Sequence, residues 1–315
     1  MIKYDHVAKT YTDEPVIKDV SFTVNQGELF VLVGPSGSGK TTLLKMFNRL
    51  TVPTNGNVYY QEKKIKDYDL QKLRLATGYV LQDSSLFPNL DIQDNIAIQL
   101  EQQGLNKEKR HQRARELLAA VDLDPATYAT RMPDELSGGE QQRVGIIRAL
   151  AAKPAVILMD EPFSALDPVV RKQLQDLVLK LQKQTQTTIM FVTHDMHEAL
   201  RLGTKVAVLK SGVLQQVGTP QEIINHPATD FVRQFFRGHG FHFSLGDLLT
   251  DGLGQVIPDE KLNLKVATCQ KVEDLLTFCR DHDDRQFVVK CDQQSYLVDR
   301  QSVWDYLIRR EEERA

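Results

Sequence analysis

The nine residues GPSGSGKTT, at positions 34–42, combine closely spaced glycines with a lysine and several hydroxyl side chains. They fit the pattern G-x-x-x-x-G-K-[ST], in which backbone N–H groups turn inward to hold phosphate oxygens and a helix N-terminus adds partial positive charge. We expect Lys40 to reach the β- and γ-phosphates and Thr41 to offer its hydroxyl to Mg²⁺. The segment therefore predicts a site for a nucleoside triphosphate.

Two adjacent carboxylates, Asp160 and Glu161, follow the apolar run VILM. An acid at the end of a buried strand can hold a metal ion, and its neighbour can polarise an attacking water, which are the two needs of phosphoryl transfer to water. A pair of solvated loop carboxylates is the alternative. The phosphate-binding pattern elsewhere in the chain favours the catalytic interpretation.

The octet LSGGEQQR, at 136–143, places a serine and two glycines directly before a helical pattern. Such a turn is a second anion site at a helix start. A single nucleotide does not need two such sites far apart in one chain, so we expect this one to serve the nucleotide of another subunit. An ordinary N-cap would explain Ser137 and one glycine but not the whole octet.

His194 follows the apolar run TTIMFV, where an imidazole can form a hydrogen bond with a γ-phosphate oxygen. His197 lies three residues further on, so a metal pair is the alternative. A metal site would need a third ligand of matching spacing, which the sequence does not offer.

The elements that must position these side chains are short apolar runs separated by helical patterns. LFVLV precedes the glycine loop, and AVILMD (155–160), TTIMFVTHD (187–195) and KVAVLKSG (205–212) follow. This alternation predicts parallel strands with crossover helices, and thus an α/β fold. The strand patterns IKYDHVAKTY, VIKDVSFTV and GNVYY predict a β-rich N-terminal part, and about 91–136 reads as a helical subdomain.

Bulk composition excludes several classes of protein. The chain has 315 residues, 41% of them hydrophobic, and a net charge of -3, which excludes a disordered chain and gives no support for nucleic-acid binding. No apolar run is long enough to span a bilayer, and the N-terminus lacks the pattern of a signal peptide. Cys269, Cys279 and Cys291 lack metal or redox spacing, so we expect inert thiols.

With these motifs, residues 1–237 resemble the ATP-binding subunit of ABC transporters. The resemblance implies a P-loop ATPase with ATP and Mg²⁺ as cofactors, in which Glu161 is the general base, His194 the switch histidine and Gln82 the Q-loop glutamine. It assigns the metal to Thr41, Gln82 and Asp160, and identifies 164–167 as the D-loop. It assigns ATP contacts to Tyr11, Gly34, Pro35, Ser36, Gly37, Ser38, Gly39, Lys40, Thr41, Thr42, Ser137, Gly138, Gly139, Glu140 and Asp167.

The same resemblance implies the partners. Two copies would close over two ATP molecules, and a transmembrane permease, with an extracellular substrate-binding protein or domain, would use the closing and opening at the cytoplasmic face of the membrane. Leu86, Phe87 and Leu90 are expected to face the permease, with core packing as the alternative. Tyr11 would stack on adenine, with packing at a sheet edge as the alternative.

The transported solute is suggested by two longer stretches. EPFSALDPVVRKQLQDLVLKLQKQ and GTPQEIINHPATDFVRQFF are similar to importers of glycine betaine, carnitine, choline or related osmoprotectants. Importers of amino acids, polyamines or sugars are the alternative. A soluble ABC ATPase would be expected to carry a long coiled coil or two cassettes, and a P-loop kinase or GTPase would not need LSGGEQQR.

The C-terminal segment predicts a separate small α+β domain at 247–315 after a linker at 238–246. Its pattern of helix, strands QFVVKC and QSYLVD, and helix is similar to a single cystathionine-β-synthase-type (CBS) repeat. A lone repeat is expected to pair with its twin across the dimer. It would either regulate transport or serve only for dimerisation.

Overall fold

The computed structural model describes residues 1–82, 85–164 and 166–237 and, beyond these, 249, 253–257, 265–269, 274–275, 278–279, 282, 284–291 and 294–303. The chain divides into two compact units, Met1–His239 and Gly240–Ala315. The predicted linker at 238–246 and most of the predicted C-terminal helices lie outside the described residues.

The first unit alternates strands and helices along the chain. Its strands are β1 (Ile2–Tyr11), β2 (Glu14–Val24), β3 (Leu29–Val33), β4 (Asn55–Tyr60), β5 (Lys63–Lys64), β6 (Thr77–Val80), β7 (Val156–Asp160), β8 (Thr188–Thr193), β9 (Lys205–Lys210) and β10 (Val213–Gly218). Its α-helices are α1 (Lys40–Phe47), α2 (Leu70–Leu75), α3 (Ile92–Gln102), α4 (Lys107–Ala120), α5 (Pro125–Tyr128), α6 (Gly138–Ala151), α7 (Pro168–Thr185), α8 (Met196–Leu202), α9 (Pro220–Asn225) and α10 (Asp230–Phe235). Short 3₁₀ helices cover Ile65–Asp67 and Pro133–Glu135.

The central sheet has six strands in the order β10-β9-β3-β8-β7-β6. All neighbouring pairs are parallel except β9 and β10, which confirms the predicted parallel strands. Every residue of β3, β7 and β8 is buried, as expected for parallel strands covered by helices on both faces. The carboxyl ends of β3, β8 and β7 therefore lie side by side at one edge of the sheet.

A second sheet is antiparallel and has the order β2-β1-β4-β5. A stack of three aromatic rings connects it to the central sheet. Tyr4 of β1 stacks on Phe22 of β2 with 4.4 Å between ring centroids, and Phe22 stacks on Phe30 of β3 with 5.0 Å. The Tyr4 hydroxyl donates a hydrogen bond to the Leu43 carbonyl of α1 at 2.9 Å. The β-rich N-terminal part thus packs against the helix that follows the glycine loop.

Helices α3, α4 and α5 occupy the predicted helical stretch. Ile92 and Ile96 of α3 share one buried cluster with Leu117 of α4 and Ile146 of α6. Each of the three helices begins at an Asp or Asn whose side chain accepts a backbone N–H of the first turn. Helix α6 therefore packs against both the helical part and the central sheet.

The second unit contains a sheet of four strands, β11 (Gly254–Ile257), β12 (Val266–Thr268), β13 (Gln286–Cys291) and β14 (Gln294–Asp299). Its order is β11-β14-β13-β12, with β12 and β13 parallel and the other pairs antiparallel. Strands β13 and β14 are the predicted QFVVKC and QSYLVD. Cys269 and Cys279 are buried in the core of this unit.

Within the part of the chain that the structure describes, no helix combines the length and the apolar character needed to cross a bilayer.

Candidate functional site

The glycine loop connects the carboxyl end of β3 to the first residue of α1, which is Lys40. Gly39 has φ 95°, and a side chain there would also collide with the Ile17 side chain of β2. At Gly34 a Cβ would collide with the Leu209 carbonyl of β9. The loop therefore needs glycine at both positions, for backbone conformation and for close approach.

Lys40 and Ser38 supply the buried polar side chains of this loop. The Lys40 Nζ donates hydrogen bonds to the Gly34 carbonyl at 2.7 Å and the Pro35 carbonyl at 3.0 Å. Burial lowers the pKa of Lys40, and the carboxylates of Glu161 and Asp160 oppose that shift. The Ser38 hydroxyl is buried and has no hydrogen-bond partner among the described residues. An ammonium and an unpartnered hydroxyl beside a helix start fit phosphate oxygens.

Thr41 and Asp160 form the second part of the site. The Thr41 hydroxyl donates a hydrogen bond to Asp160 Oδ1 at 2.7 Å, which joins α1 to the end of β7. Asp160 is only 6% exposed, and burial raises its pKa, whereas the Thr41 bond and nearby lysines lower it. A hydroxyl and a carboxylate are the oxygen ligands that Mg²⁺ prefers, so these two residues fit the metal that the fold implies.

Glu161 and His194 form the third part. The distance between Glu161 Oε2 and His194 Nδ1 is 2.8 Å, so the general-base candidate contacts the histidine at the end of β8. Glu161 has φ 46°, a left-handed conformation that is uncommon outside glycine and is often found at functional sites. Its N–H donates to the Val192 carbonyl at 3.0 Å, which fixes this backbone beside β8. Thr41, Asp160, Glu161 and His194 are called the strand-end cluster below.

A partly buried network that the sequence did not predict lies on both sides of His194 along the chain. The Thr193 hydroxyl donates to Glu198 Oε2 at 2.6 Å and accepts from the Asp195 N–H at 2.9 Å. Glu198 is buried, and burial raises its pKa. Arg171 donates to the Leu166 carbonyl at 3.1 Å and lies 3.8 Å from the Asp195 carboxylate. Helical spacing is the signal for Glu198, since it shares a face with buried Leu202.

The LSGG segment forms the N-terminus of α6. Ser137 is the N-cap, and the Glu140 carboxylate accepts both the Ser137 hydroxyl and the Ser137 N–H at 2.7 Å. Tyr128 also donates its hydroxyl to Glu140 at 2.6 Å. This bond, with those from Ser137, lowers the pKa of Glu140. Residues 137–140, called the signature turn below, expose Ser137 and Gly138.

The other residues predicted to contact ATP lie on several different elements of the first unit. Tyr11 ends β1, is 46% exposed and has Lys9 Nζ 4.7 Å from its ring centre. Asp167 caps α7, because its carboxylate accepts the N–H groups of Val169 and Val170. Pro35, Ser36 and Gly37 are exposed, and Thr42 is partly buried in the first turn of α1. Ala165 of the predicted D-loop lies outside the described residues.

The segment after β6 carries the predicted glutamine and the apolar side chains. Gln82 is exposed. Leu86 packs against the large buried cluster of the first unit, so the alternative of core packing holds for Leu86. Phe87 is 45% exposed and lies on the surface. Asn95, which the sequence analysis missed, accepts the Phe87 N–H at 2.7 Å and donates to the Phe87 carbonyl at 3.0 Å and the Leu90 carbonyl at 2.8 Å.

Known proteins with similar sequences have names that agree with this site. The ABC transporter family profile matches residues 17–164. The chain is 47% identical over 236 residues to the glycine betaine/carnitine/choline transport ATP-binding protein OpuCA of Bacillus subtilis, covering 75% of this chain and 62% of that protein. It is 40% identical over 294 residues to the osmoprotectant import ATP-binding protein OsmV of Salmonella typhimurium, covering 92% of this chain and 76% of that protein.

The fold is also found among solved structures. The dimeric post-hydrolysis state of the ATP-binding cassette MJ0796, bound to ADP and Pi, matches with a TM-score of 0.65 and 35% identity, covering 70% of this chain and 99% of that chain. The first unit therefore has the fold of an ABC ATPase, as predicted. The glycine loop, the strand-end cluster and the signature turn all lie on this fold, and the chain belongs to the ABC transporter family of ATP-binding proteins.

Proposed function

We propose that this chain is the ATP-hydrolysing subunit of an ABC importer. One observation carries the proposal: the Thr41–Asp160 and Glu161–His194 contacts, at 2.7 and 2.8 Å, lie at the carboxyl ends of adjacent strands. These ends adjoin the loop that holds Lys40. Metal-binding oxygens, a base and a phosphate loop are the groups that phosphoryl transfer to water requires.

Each residue has a defined task in this proposal. Backbone N–H groups of the loop, with Lys40, bind and orient the phosphates of ATP. Thr41 and Asp160, together with Gln82, would hold Mg²⁺, which neutralises phosphate charge when bound. Glu161 accepts the proton of the attacking water, and His194 orients Glu161 and can donate to a γ-phosphate oxygen.

A second copy would complete the site. Ser137 and Gly139 of one chain would cover the ATP held by the glycine loop of the other, so ATP would stabilise the closed dimer and hydrolysis would release it. The dimeric cassette MJ0796 supports this arrangement. The partner that uses the motion would be a membrane permease, with this chain peripheral at the cytoplasmic face and a substrate-binding protein or domain outside the cell.

The solute is proposed to be an osmoprotectant such as glycine betaine, carnitine or choline. The names of the Bacillus subtilis and Salmonella typhimurium relatives support this class. The matched sequence spans 62% of the Bacillus subtilis relative, so its activity and substrates apply here only as part of this proposal. Uptake of radiolabelled glycine betaine, compared with an amino acid, by cells carrying and lacking the gene would test the assignment.

The second unit is proposed to be a CBS-like domain that regulates transport or pairs two copies. The chain order of β12, a helical segment including 274–275, β13 and β14, with β12 parallel to β13, supports the resemblance. Deleting residues 247–315 tests a regulatory role. Regulation predicts an altered dependence of ATPase activity on salt, and an unchanged dependence would leave only dimerisation.

The enzyme assignment is tested with the full chain and its Glu161→Gln variant. We expect Mg²⁺ and ATP to shift the variant from monomer to dimer in solution, while its hydrolysis falls about 100-fold or more because the base is lost. A variant that is already dimeric without ATP would assign the pairing to the second unit. Glu116→Gln, at an exposed glutamate of α4, is the matched control and should hydrolyse ATP normally. Hydrolysis by Glu161→Gln at the normal rate would contradict the assignment of the base, and an unmodified chain that neither binds nor hydrolyses ATP would overturn the function.

A further inference from the structure

Gln142 lies in the first turns of α6, shortly after the signature turn. Its side chain is buried, with only 6% of the residue exposed. Its Nε2 donates a hydrogen bond to the Pro162 carbonyl at 2.7 Å and approaches the Leu81 carbonyl at 3.4 Å. Pro162 directly follows Glu161, and Leu81 directly precedes Gln82. One amide group therefore contacts the backbone beside both residues.

The two residues that flank Gln142 contact two other segments of the first unit. Gln141 donates to the Pro133 carbonyl at 2.9 Å and the Leu136 carbonyl at 3.1 Å. Arg143 donates to the Val121 carbonyl at the end of α4 at 3.1 Å. Three consecutive side chains of α6 thus bind three places: Gln141 the residues just before α6, Gln142 the loops after β7 and β6, and Arg143 the end of α4. A displacement of α6 would therefore strain hydrogen bonds to all three.

Further along α6, Arg148 contacts the other end of the segment that Gln142 approaches. Its Nη1 donates to the Ser85 carbonyl at 2.9 Å, and its guanidinium lies 5.9 Å from the centre of the Phe87 ring. Helix α6 therefore holds the backbone on both sides of Gln82. Gln142 differs from Arg148 in also contacting the backbone beside the general-base candidate.

We propose that Gln142 is a positioning residue that couples the two ATP sites of the dimer. This inference rests on the proposed function, in which Ser137 of this chain faces the partner's ATP while Gln82 and Glu161 act on the chain's own ATP. The α6 helix then belongs to one site at its N-terminus and, through the Gln142 amide, contacts the loops of the other. Loss of the amide leaves buried carbonyls unpaired, which permits both loops to shift relative to the signature turn.

Hybrid dimers with a single hydrolysing site separate the two halves of this role. A limiting amount of full chain with an intact Glu161 is mixed with an excess of the Glu161→Gln chain, so each active site pairs the limiting chain's loops with the partner's signature turn. Gln142→Met, which roughly keeps the side-chain volume, is placed either in the limiting chain or in the excess partner. Turnover is measured per limiting chain.

We expect Gln142→Met to reduce turnover about 10-fold in either placement, since small misplacements of catalytic groups are costly. Nucleotide binding to the limiting chain should change less than about 2-fold, because Lys40 and the glycine loop remain intact. Gln182→Met is the matched control. Gln182 is 7% exposed and also donates to a backbone carbonyl, that of Gly27, and its replacement should leave turnover unchanged in both placements.

The outcomes discriminate among simpler roles. A loss only when Gln142→Met is in the limiting chain would show support of that chain's own loops, and a loss only in the partner would show support of the signature turn alone. Either result, or no loss, overturns coupling. Equal unfolding temperatures and nucleotide binding for the Gln142→Met and Gln182→Met chains exclude misfolding as the cause, and Gln142→Glu, which lacks the donor, should repeat the two-placement loss. An unmodified pair without hydrolysis would instead overturn the proposed function.

Discussion

The strand-end cluster and the signature turn are both assembled from polar residues, but they are assembled in opposite ways. The contacts of the cluster join residues that are distant in sequence, with Thr41 and Asp160 119 positions apart and Glu161 and His194 33 positions apart. The signature turn is held by bonds between Ser137 and Glu140, three positions apart, and by Tyr128. One is a product of sheet topology and the other of a helix N-terminus.

The strand-end cluster and the signature turn also differ in how exposed their side chains are to solvent. Asp160 is 6% exposed and the Glu161 side chain 19%, whereas Ser137 and Gly138 lie on the surface. The carboxylates of the cluster are largely buried and can hold a metal and a base in fixed positions without help from another chain, while the His194 side chain is 56% exposed. An exposed turn whose polar groups bond to one another offers a surface for a ligand that arrives from outside. The comparison supports two half-sites that belong to different nucleotides.

The largest expected effect comes from placing a bulky charge on the exposed turn. We expect Ser137→Arg to reduce hydrolysis about 1000-fold, because loss of preorganised donors at a transition state has effects of this size. Binding of ATP to the same chain should be unchanged, since the glycine loop is untouched. ATPase assays and equilibrium nucleotide binding check this prediction.

Thr219→Arg is the control for Ser137→Arg, since Thr219 caps α9 through an equivalent capping box with Glu222. It should cost about 1 kcal/mol of stability through the lost cap but leave hydrolysis near normal. If Ser137→Arg abolished ATP binding to its own chain, the turn would serve that chain's nucleotide and the two-half-site comparison would be wrong.

The next effect concerns the exposed member of the strand-end cluster. We expect His194→Ala to reduce turnover about 100-fold, because Glu161 loses the partner that orients it. ATP binding should change little, so the effect should appear in kcat rather than KM. His197→Ala, three residues away in α8, is the control and should retain activity. Equal losses for both histidines would indicate damage to α8 rather than a role in the cluster.

Replacing one glycine in the glycine loop and one in the signature turn compares how well each region tolerates a side chain. Gly39→Ala should destabilise the first unit by about 2 kcal/mol, because of its positive φ and the clash with Ile17. At Gly139 a Cβ would lie 3.6 Å from Leu166 Cδ2, an ordinary contact, and alanine is the better helix former, so Gly139→Ala should be neutral or stabilise the unit by up to about 1 kcal/mol. Urea unfolding without nucleotide measures both, and similar losses would refute the difference.

Much of this comparison was predictable from the sequence because the motifs are local. The glycine loop, the acids after β7 and the capped start of α6 each depend on a short stretch whose residue types dictate its geometry. Strand β6 was missed because it is only four residues long and contains Gly78, and β10 because it is an antiparallel edge strand with few buried residues. Neither carries the apolar run expected of a central parallel strand.

The supporting side chains could not be predicted in the same way. Gln142, Glu198 and Asn95 are buried polar residues whose partners are backbone groups or side chains of other segments, so their roles depend on how loops meet in space. Helical spacing did contain a signal, since Gln142 precedes buried Ile146 by one turn. A polar residue on an apolar helix face indicates a buried hydrogen bond but does not identify its partner.

The smallest effect is expected for the hydrogen bond that joins α5 to the signature turn. Tyr128→Phe removes the hydroxyl that donates to Glu140, and because this bond is partly exposed to solvent the variant should lose only a little stability and a little hydrolysis. The Tyr128 bond is the largest cause of the lowered pKa of Glu140.

A lowered carboxyl pKa adds stability above the pKa that the same carboxyl has in the unfolded chain, and this stability is lost as pH falls through the pKa of the folded state. The difference in stability between the variant and the unmodified chain should therefore be largest near neutral pH and disappear in acid. A difference that stayed constant with pH would show that Tyr128 acts by packing, and the signature turn would then depend less on its own hydrogen bonds than the comparison with the strand-end cluster requires.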